Sequence, residues 1–319
     1  MKSLFILVYL IFTLFAWESF AQIRFAFGSC HDQNKGGNHF KNISQESVQA
    51  WIWLGDNIYS DHFSDKQRKN AYTKVKKDID YSKINQKMKV WGTWDDHDYG
   101  YNNVGSNYVG KSDSKKRFLE FLDFPDSDPV YSREGIYHQR RLESNGMSAK
   151  FVMLDLRYFQ TRSTLLGREQ WSWLEDVFNK ADEDIIILVS SLNVMSELSI
   201  FTLFLEGWHR WKKERERLFK LISRSAVPVV FLSGDRHFSD RSLRTINGGK
   251  RIYEFMSSGL NKPGRPLPSR YRLGKAVDVP NYATVEIYKE NGSERLKILH
   301  HIKRSDDGSV ISSLDTYLN

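Results

Sequence analysis

At 319 residues the chain has room for one large domain or two smaller ones, each with a substantial core. Nine tryptophans and an aromatic share of 14% exclude a disordered adaptor, and an excess of eight Lys and Arg over Asp and Glu favours anionic partners without naming one. A single cysteine, Cys30, excludes an intramolecular disulfide.

Residues 1–21 carry the pattern of a secretory signal peptide: Lys2 as the charged start, an apolar stretch over 4–15, and Ser19-Phe20-Ala21 as a small-x-small cleavage site. An uncleaved anchor is the competing reading, but the run is short for a bilayer span, and no later segment is apolar enough to cross one. The mature chain then starts near Gln22 and forms one domain over 22–319, exported to the periplasm or beyond. Residues 23–28 predict a short central strand that enters Gly28-Ser29-Cys30-His31, so Cys30 stands at a strand end. A thiol there is a small buried hydrophobe, a nucleophile or a metal ligand. A loop to residue 42 and a helical link over 44–49 follow.

Residues 48–54 read as a second buried strand, and Gly55 permits a tight turn directly after it. Asp56 then lies at the sheet rim, where ligands collect in open α/β sheets, and Tyr59 can bring its phenol to the same space. Gly-Asp-Asn is also ordinary turn chemistry, so the cluster gains meaning only from its recurrence. Charged residues 65–86 predict one or two surface helices, their lysines a solvated face and not a dedicated nucleic-acid-binding module. A strand over 89–94 ends in Asp95-Asp96-His97-Asp98, three carboxylates and an imidazole that a cation would have to compensate at a partly buried sheet mouth. Residues 99–110 are a loop long enough to fold over a site.

Further on, 114–121 predict a helix, 133–139 lead into a hairpin with the strand over 150–156, and Leu154-Asp155-Leu156-Arg157 ends that strand. Arg157 pairs with Asp155 or contacts a phosphate there. An amphipathic helix over 167–179, a buried strand over 185–189 ending in Ser190-Ser191-Leu192-Asn193, and a helix over 208–222 precede another buried strand over 227–232. This strand closes in Ser233-Gly234-Asp235-Arg236-His237, which repeats the first Gly-Asp turn. A strand over 253–256 ends in Ser257-Ser258-Gly259, residues 261–280 form a loop rich in Pro, Gly and Arg, and 282–303 predict a hairpin around Asn291-Gly292.

Strands that all end in metal-competent residues imply one site at one edge of the sheets. Hard oxygen donors with one soft sulfur suit a mixed pair of cations, one centre with Cys30 and Tyr59 and another dominated by carboxylates, with Asp56 able to bridge them. A phenolate prefers a strongly Lewis-acidic ion such as Fe3+, and the second position would accept Ca2+, Mn2+ or Mg2+. Such a pair can clamp a phosphate ester and activate a water, with His97 beside Asp96 placed to stabilise charge or to protonate the leaving oxygen. Arg157 and Arg236 are candidates for contacting the phosphate. No Gly-x-Ser-x-Gly elbow supports serine chemistry.

Gly28-Ser29-Cys30, Gly55-Asp56-Asn57-Ile58-Tyr59, Trp94-Asp95-Asp96-His97-Asp98, Gly234-Asp235-Arg236-His237 and Ser257-Ser258-Gly259 resemble, in this order, the motifs of PhoD-like alkaline phosphatases, over most of residues 23–300. The resemblance implies an α/β fold of the calcineurin-like metallophosphoesterase type, an αββα sandwich of two mixed β-sheets packed face to face with helices outside. It also implies a binuclear centre, Fe3+ with Ca2+ or else Mn2+, Mg2+ or Zn2+, and a phosphate ester substrate. By the same resemblance Asp56 is the bridging carboxylate and Tyr59 the ferric tyrosinate of purple acid phosphatases. Asp96 takes the place of an Asn ligand, His97 that of the transition-state histidine, and Asp235 and His237 that of two histidines. Asn193 stands where a metal-binding histidine is usual, and is carried as a ligand in its place. A nuclease-type or purple-acid-phosphatase-like phosphodiesterase, and a catalytically silent phosphate-binding protein of the same fold, are the alternatives. The loops over 99–113 and 261–280 are expected to select the substrate, and no oligomeric state follows.

Overall fold

The structure, a computed structural model, describes residues 21–197, 199–200, 202, 205–289 and 295–318. The signal-peptide reading of residues 1–21 falls outside the described residues except for Ala21, and so does the turn at Asn291-Gly292. Twelve strands are described: β1 (Gln22–Gly28), β2 (Ala50–Leu54), β3 (Lys89–Thr93), β4 (His138–Ser144), β5 (Met147–Met153), β6 (Ile185–Ser190), β7 (Val229–Ser233), β8 (Asp240–Thr245), β9 (Arg251–Met256), β10 (Asn281–Lys289), β11 (Leu296–Arg304) and β12 (Val310–Tyr317). The α-helices are α1 (His39–Ser44), α2 (Asp65–Lys76), α3 (Ile79–Lys87), α4 (Asp96–Tyr99), α5 (Lys111–Phe121), α6 (Gly167–Asn179) and α7 (Lys212–Arg224). None is long and apolar enough to cross a membrane.

The strands form two six-stranded sheets, ordered β12-β11-β10-β1-β2-β3 and β4-β5-β6-β7-β9-β8. In the first, β1, β2 and β3 run parallel; in the second, β5, β6, β7 and β9 do. Parallel strands buried on both faces need apolar residues at every position, which is why these segments read as continuous apolar runs. Alternation still sorts the faces: Phe25, Phe27, Ile52 and Leu54 pack between the sheets against Phe151, Ile187, Val230 and Phe255. Ala26, Trp51 and Trp53 point outward with Phe40, Tyr72, Tyr81 and Phe118 of α1, α2, α3 and α5. On the other outer face, Ile186, Leu188 and Phe231 meet Trp171 and Leu174 of α6 and Leu218 and Ile222 of α7. The architecture is the expected αββα sandwich.

Some local expectations shift. The helical link expected over 44–49 lies one turn earlier, in α1, where His39, Phe40 and Ile43 make a buried face. The charged segment over 65–86 splits into α2 and α3 because Ser64 forms a capping box with Gln67 and Asp78 caps a second start with bonds to the amides of Asp80 and Tyr81. Strands β8 and β12 carry no apolar run to announce them. They lie at sheet edges, and β12 is half-exposed or exposed along its length.

The fold positions five polar residues by one rule. Cys30, Asp56, Asp95, Asp155 and Asp235 each stand two residues beyond the end of a strand, β1, β2, β3, β5 and β7 respectively. Two glycines let the strand ends of the two sheets close on one another. A Cβ on Gly55, where φ is +98°, would meet Asp95 Cβ at 2.6 Å and Ser191 Cβ at 3.1 Å, and one on Gly234 would meet Ser29 Oγ at 2.6 Å and the Leu54 carbonyl at 2.8 Å.

Candidate metal centre

The site residues emerge from turns rather than from loops. Cys30, Asp56, Asp235 and His237 all have left-handed backbones, with φ of 58°, 49°, 70° and 59°. For a residue with a Cβ this costs about 1 kcal/mol each, so something must hold them there. The His31 amide donates to the Asp56 carbonyl at 2.9 Å, the Gly259 and Leu260 amides to the Ser29 carbonyl, and the His237 amide to Ser258 Oγ at 2.8 Å. The Asn57 amide donates to the Asp98 carboxylate at 3.1 Å, and Asn57 Nδ2 to the Thr93 carbonyl.

These turns bring two donor groups together around one shared carboxylate. Cys30 Sγ, the Asp56 carboxylate and a ring nitrogen of His237 lie within 4.8 Å of one another, and so do ligand atoms of Asp56, Asp96 and His97. Tyr59 joins the first group: its hydroxyl lies 3.2 Å from Asp56 Oδ2 and 3.5 Å from His237 Nε2. His237 Nδ1 faces the Lys262 carbonyl at 2.6 Å, which leaves Nε2 directed at the cluster. Asp96 is oriented by the amides of His97 at 3.0 Å and Asn103 at 2.6 Å. Cys30 Sγ lies 3.5 Å from Asp56 Oδ2 and 3.1 Å from Ser258 Oγ.

The charges of this cluster are only partly balanced by protein. Burial, then Asp96, Asp95, Asp98 and Asp235, push the Asp56 carboxyl well above its ordinary range. Desolvation followed by repulsion from Asp95 does the same to Asp235. The Cys30 thiol and the Tyr59 phenol are raised by burial and then by Asp56. Burial would raise Asp96 as well, but Arg157, His97 and the two amides hold it below its ordinary value. Asp56 Oδ1 is buried without a hydrogen-bond partner among the described residues. Acids that raise one another in a desolvated pocket, around an oxygen with no donor, fit bound cations. Thiolate, phenolate, imidazole and carboxylate on one side, and carboxylates on the other, are donor types that fit such a pair.

Behind the cluster stands a layer that the protein does satisfy. Asp98 accepts from the amides of Asn57, Ile58 and Asp95 and from the Tyr72 hydroxyl. Asp155 accepts from Trp94 Nε1 and the amides of Ile136, Arg157 and Tyr158. Arg157 belongs to this layer. It is fully buried, its side chain bonds Asp95 at 2.5 Å and Glu206 at 2.5 Å and lies 3.8 Å from Asp96, and it pairs with Asp155 only through its backbone amide. Its Nη2 has no hydrogen-bond partner among the described residues, so the guanidinium is anchored beside Asp95 and Asp96 with one nitrogen left open. Arg236 is half-buried and bonds the Glu206 carbonyl at 3.3 Å, with no carboxylate ion pair among the described residues. The amide of Asn193 is 3.8 Å from Met256 Sδ, and Asn193 lines the same groove as Arg236.

Asp61 has no place in the sequence reading. Its carboxylate lies 2.7 and 2.9 Å from His97 Nδ1, so the imidazole is gripped at Nδ1 and presents Nε2. The two residues are 36 apart in the chain, and no local pattern pairs them. Both loops expected to select substrate line grooves. Asn103, Asn107, Gln160, Arg162 and Glu206 border one of about 580 Å³, and Asn193, Arg236, Met256, Arg270 and Arg272 border one of about 480 Å³.

A sequence model of the family described as PhoD-like phosphatase matches residues 25–301. Among solved structures the chain is similar to PhoD, with a TM-score of 0.71 at 18% identity, covering 93% of this chain and 72% of that one. It is also similar to the purple acid phosphatase PPD1 isolated from yellow lupin (Lupinus luteus) seeds, with a TM-score of 0.65 at 12% identity, covering 93% of this chain and 54% of that one. At these identities the likeness is one of fold. No curated protein matches the chain in sequence.

Proposed function

The chain belongs to the PhoD-like phosphatase family, and from that premise we propose that it is an exported phosphoric ester hydrolase, an alkaline phosphatase or phosphodiesterase, dependent on a binuclear metal centre. Cys30, Tyr59 and His237 would hold one cation, Asp96, Asp235 and Asn193 the other, and Asp56 would serve both. The thiol and phenol favour Fe3+ at the first position, and the carboxylates favour Ca2+ at the second. Export rests on the sequence pattern of residues 1–21. One observation carries the reading: two donor groups share the Asp56 carboxylate, one of whose oxygens is buried and unpartnered among the described residues.

When bound, the cations would supply a water nucleophile near neutral pH and neutralise charge on the phosphoryl group. The protein's own groups do the rest. His97, held at Nδ1 by Asp61, keeps a proton at Nε2 for the departing ester oxygen, and the Asp61 carboxylate stabilises the charged imidazole that carries it. Arg157 holds Asp95 and Asp96 in place from behind. Arg236, on the groove wall, is the guanidinium free to meet a phosphoryl oxygen.

Purified protein should contain two metals and hydrolyse p-nitrophenyl phosphate or bis-p-nitrophenyl phosphate. A tyrosinate-to-iron absorption band should be present in the native protein and vanish in Tyr59→Phe. A colourless, metal-free protein without turnover would refute the proposal.

A further inference from the structure

Lys262 follows β9 by six residues and opens the loop over 261–280, and its surroundings are unusual for a surface lysine. Its Nζ lies 3.4 Å from the centroid of the Tyr59 ring, whose hydroxyl belongs to the ligand cluster. The His97 ring sits 4.4 Å from the same centroid, so the ammonium and the imidazole share one aromatic platform at the mouth. The backbone around Lys262 is pinned on both sides. Asn261 Nδ2 donates to the carbonyls of Asp32 and Lys35, and its Oδ1 accepts from the Asp32 amide. The Lys262 carbonyl faces His237 Nδ1, Pro263 restricts the next φ, and the Gly264 amide donates to the His237 carbonyl.

The other mouth cations are occupied differently. Arg157 is enclosed by Asp95, Asp96 and Glu206, Arg270 pairs with Glu197, Arg272 with Asp240, and Arg236, which has no carboxylate ion pair among the described residues either, bonds the Glu206 carbonyl. Lys262 pairs with no carboxylate among the described residues, although Asp56, Asp96 and Asp235 make the neighbourhood acidic. Its ammonium is therefore a half-buried donor group held over the ring of Tyr59, whose hydroxyl belongs to the cluster.

We propose that Lys262 selects phosphate monoesters by receiving the additional charged oxygen that distinguishes a monoester dianion from a diester monoanion. This rests on the phosphatase reading above and deepens it. A diester has an ester oxygen in place of that charged one, so it offers the ammonium a weaker acceptor and a bulkier substituent. Discrimination therefore arises from one charge-assisted hydrogen bond on the substrate, not from a change in the chemistry at the metal ligands. A purely structural lysine, clamped on Tyr59 as a cation–π contact, would instead affect both substrate classes alike.

The test compares the metal-loaded wild type with Lys262→Met, which keeps the stem over the ring and removes the charge, and with Lys262→Arg. On p-nitrophenyl phosphate, kcat/KM of Lys262→Met should fall by about tenfold to a hundredfold, the worth of a hydrogen bond to a charged group. On bis-p-nitrophenyl phosphate it should change by less than about threefold, and Lys262→Arg should recover most of the monoesterase rate. In the wild type alone, inorganic phosphate should inhibit at least about tenfold more tightly than dimethyl phosphate, a measurement that needs no variant to fold. Equal losses on both substrates, no loss on either, or equal inhibition by the two anions would overturn the assignment to Lys262. A wild type that turns over neither substrate would instead overturn the phosphatase reading beneath it.

Discussion

Asp56 and Asp98 are both buried aspartates, three and five residues beyond the strand residues that Trp53 and Thr93 provide, yet their surroundings are opposite. Asp98 receives three backbone amides and the Tyr72 hydroxyl, and burial still lifts its carboxyl to about 7. Asp56 receives only the Tyr59 phenol and the Cys30 thiol on one oxygen, while the other has nothing among the described residues. Burial alone therefore does not mark function. What separates the two is whether the protein itself completes the hydrogen bonding: it does so for the carboxylate that holds the turns, and stops short for the one that faces the cluster.

The sharpest test of this contrast is a pair of substitutions. Asp56→Asn should lower hydrolysis by about a thousandfold or more, ~4 kcal/mol of transition-state stabilisation. In chelator-treated protein the same change should leave urea stability unchanged or raised, since it removes one of several like charges. If the metal-free Asp56→Asn protein unfolds as readily as an Asp98 variant, the distinction collapses. Asp98→Ala should cost about 3 kcal/mol of folding stability, because three amides and a phenol lose their acceptor in a buried place. Its loss should appear in the urea midpoint before any kinetic assay is run.

A smaller effect is expected at Asp61, which belongs to neither class because it acts on another side chain. Asp61→Asn should reduce kcat by about tenfold with little change in stability. The loss should be larger for an alkyl phosphate, whose poor leaving group needs a proton, than for p-nitrophenyl phosphate. Equal losses on the two would mean that Asp61 only holds the fold.

The smallest effect concerns Glu254, fully satisfied by the Val194 and Met195 amides at 2.7 and 2.9 Å but lifted by burial from 4.5 to about 7. Its folded form binds a proton more readily than its unfolded form. The stability it contributes is present in full below about pH 4.5 and is lost as pH rises through about 7, with a slope of at most about 1.4 kcal/mol per pH unit between the two. Urea midpoints measured from pH 5 to 8 should fall less steeply with rising pH in Glu254→Gln than in the wild type. Parallel curves would show that this carboxylate titrates alike in both states.

The mouth of the sandwich is legible in the sequence because its residues obey a local rule: an apolar run, a small residue, then a ligand. Cys30, Asp56 and Asp235 could all be located in this way, each from its own neighbours in the chain. Asp61 could not, because its meaning lies in His97, 36 residues away, and no local pattern pairs them. Arg157 is the converse case. Its position after a strand is locally identical to that of a substrate-facing residue, and only Glu206 and Asp95, brought in from other turns, reveal that it is enclosed. The edge strands β8 and β12 escaped for a third reason, since a strand with one open face needs no apolar run to be stable once the sheet beside it exists.

The left-handed turns at Cys30, Asp56, Asp235 and His237 have a further consequence. Because each change of chain direction is completed within the turn residue or its immediate neighbour, the strand before it sets where each candidate ligand emerges, and the segment after it finishes the aim: the Asn103 amide lies 2.6 Å from the Asp96 carboxylate, and the Lys262 carbonyl 2.6 Å from His237 Nδ1. The segments over 99–110 and 261–280 therefore touch the cluster as well as lining the grooves beside it. Socket and collar are in this sense one device: a change in either segment that alters what is admitted also reaches the side chains that meet it.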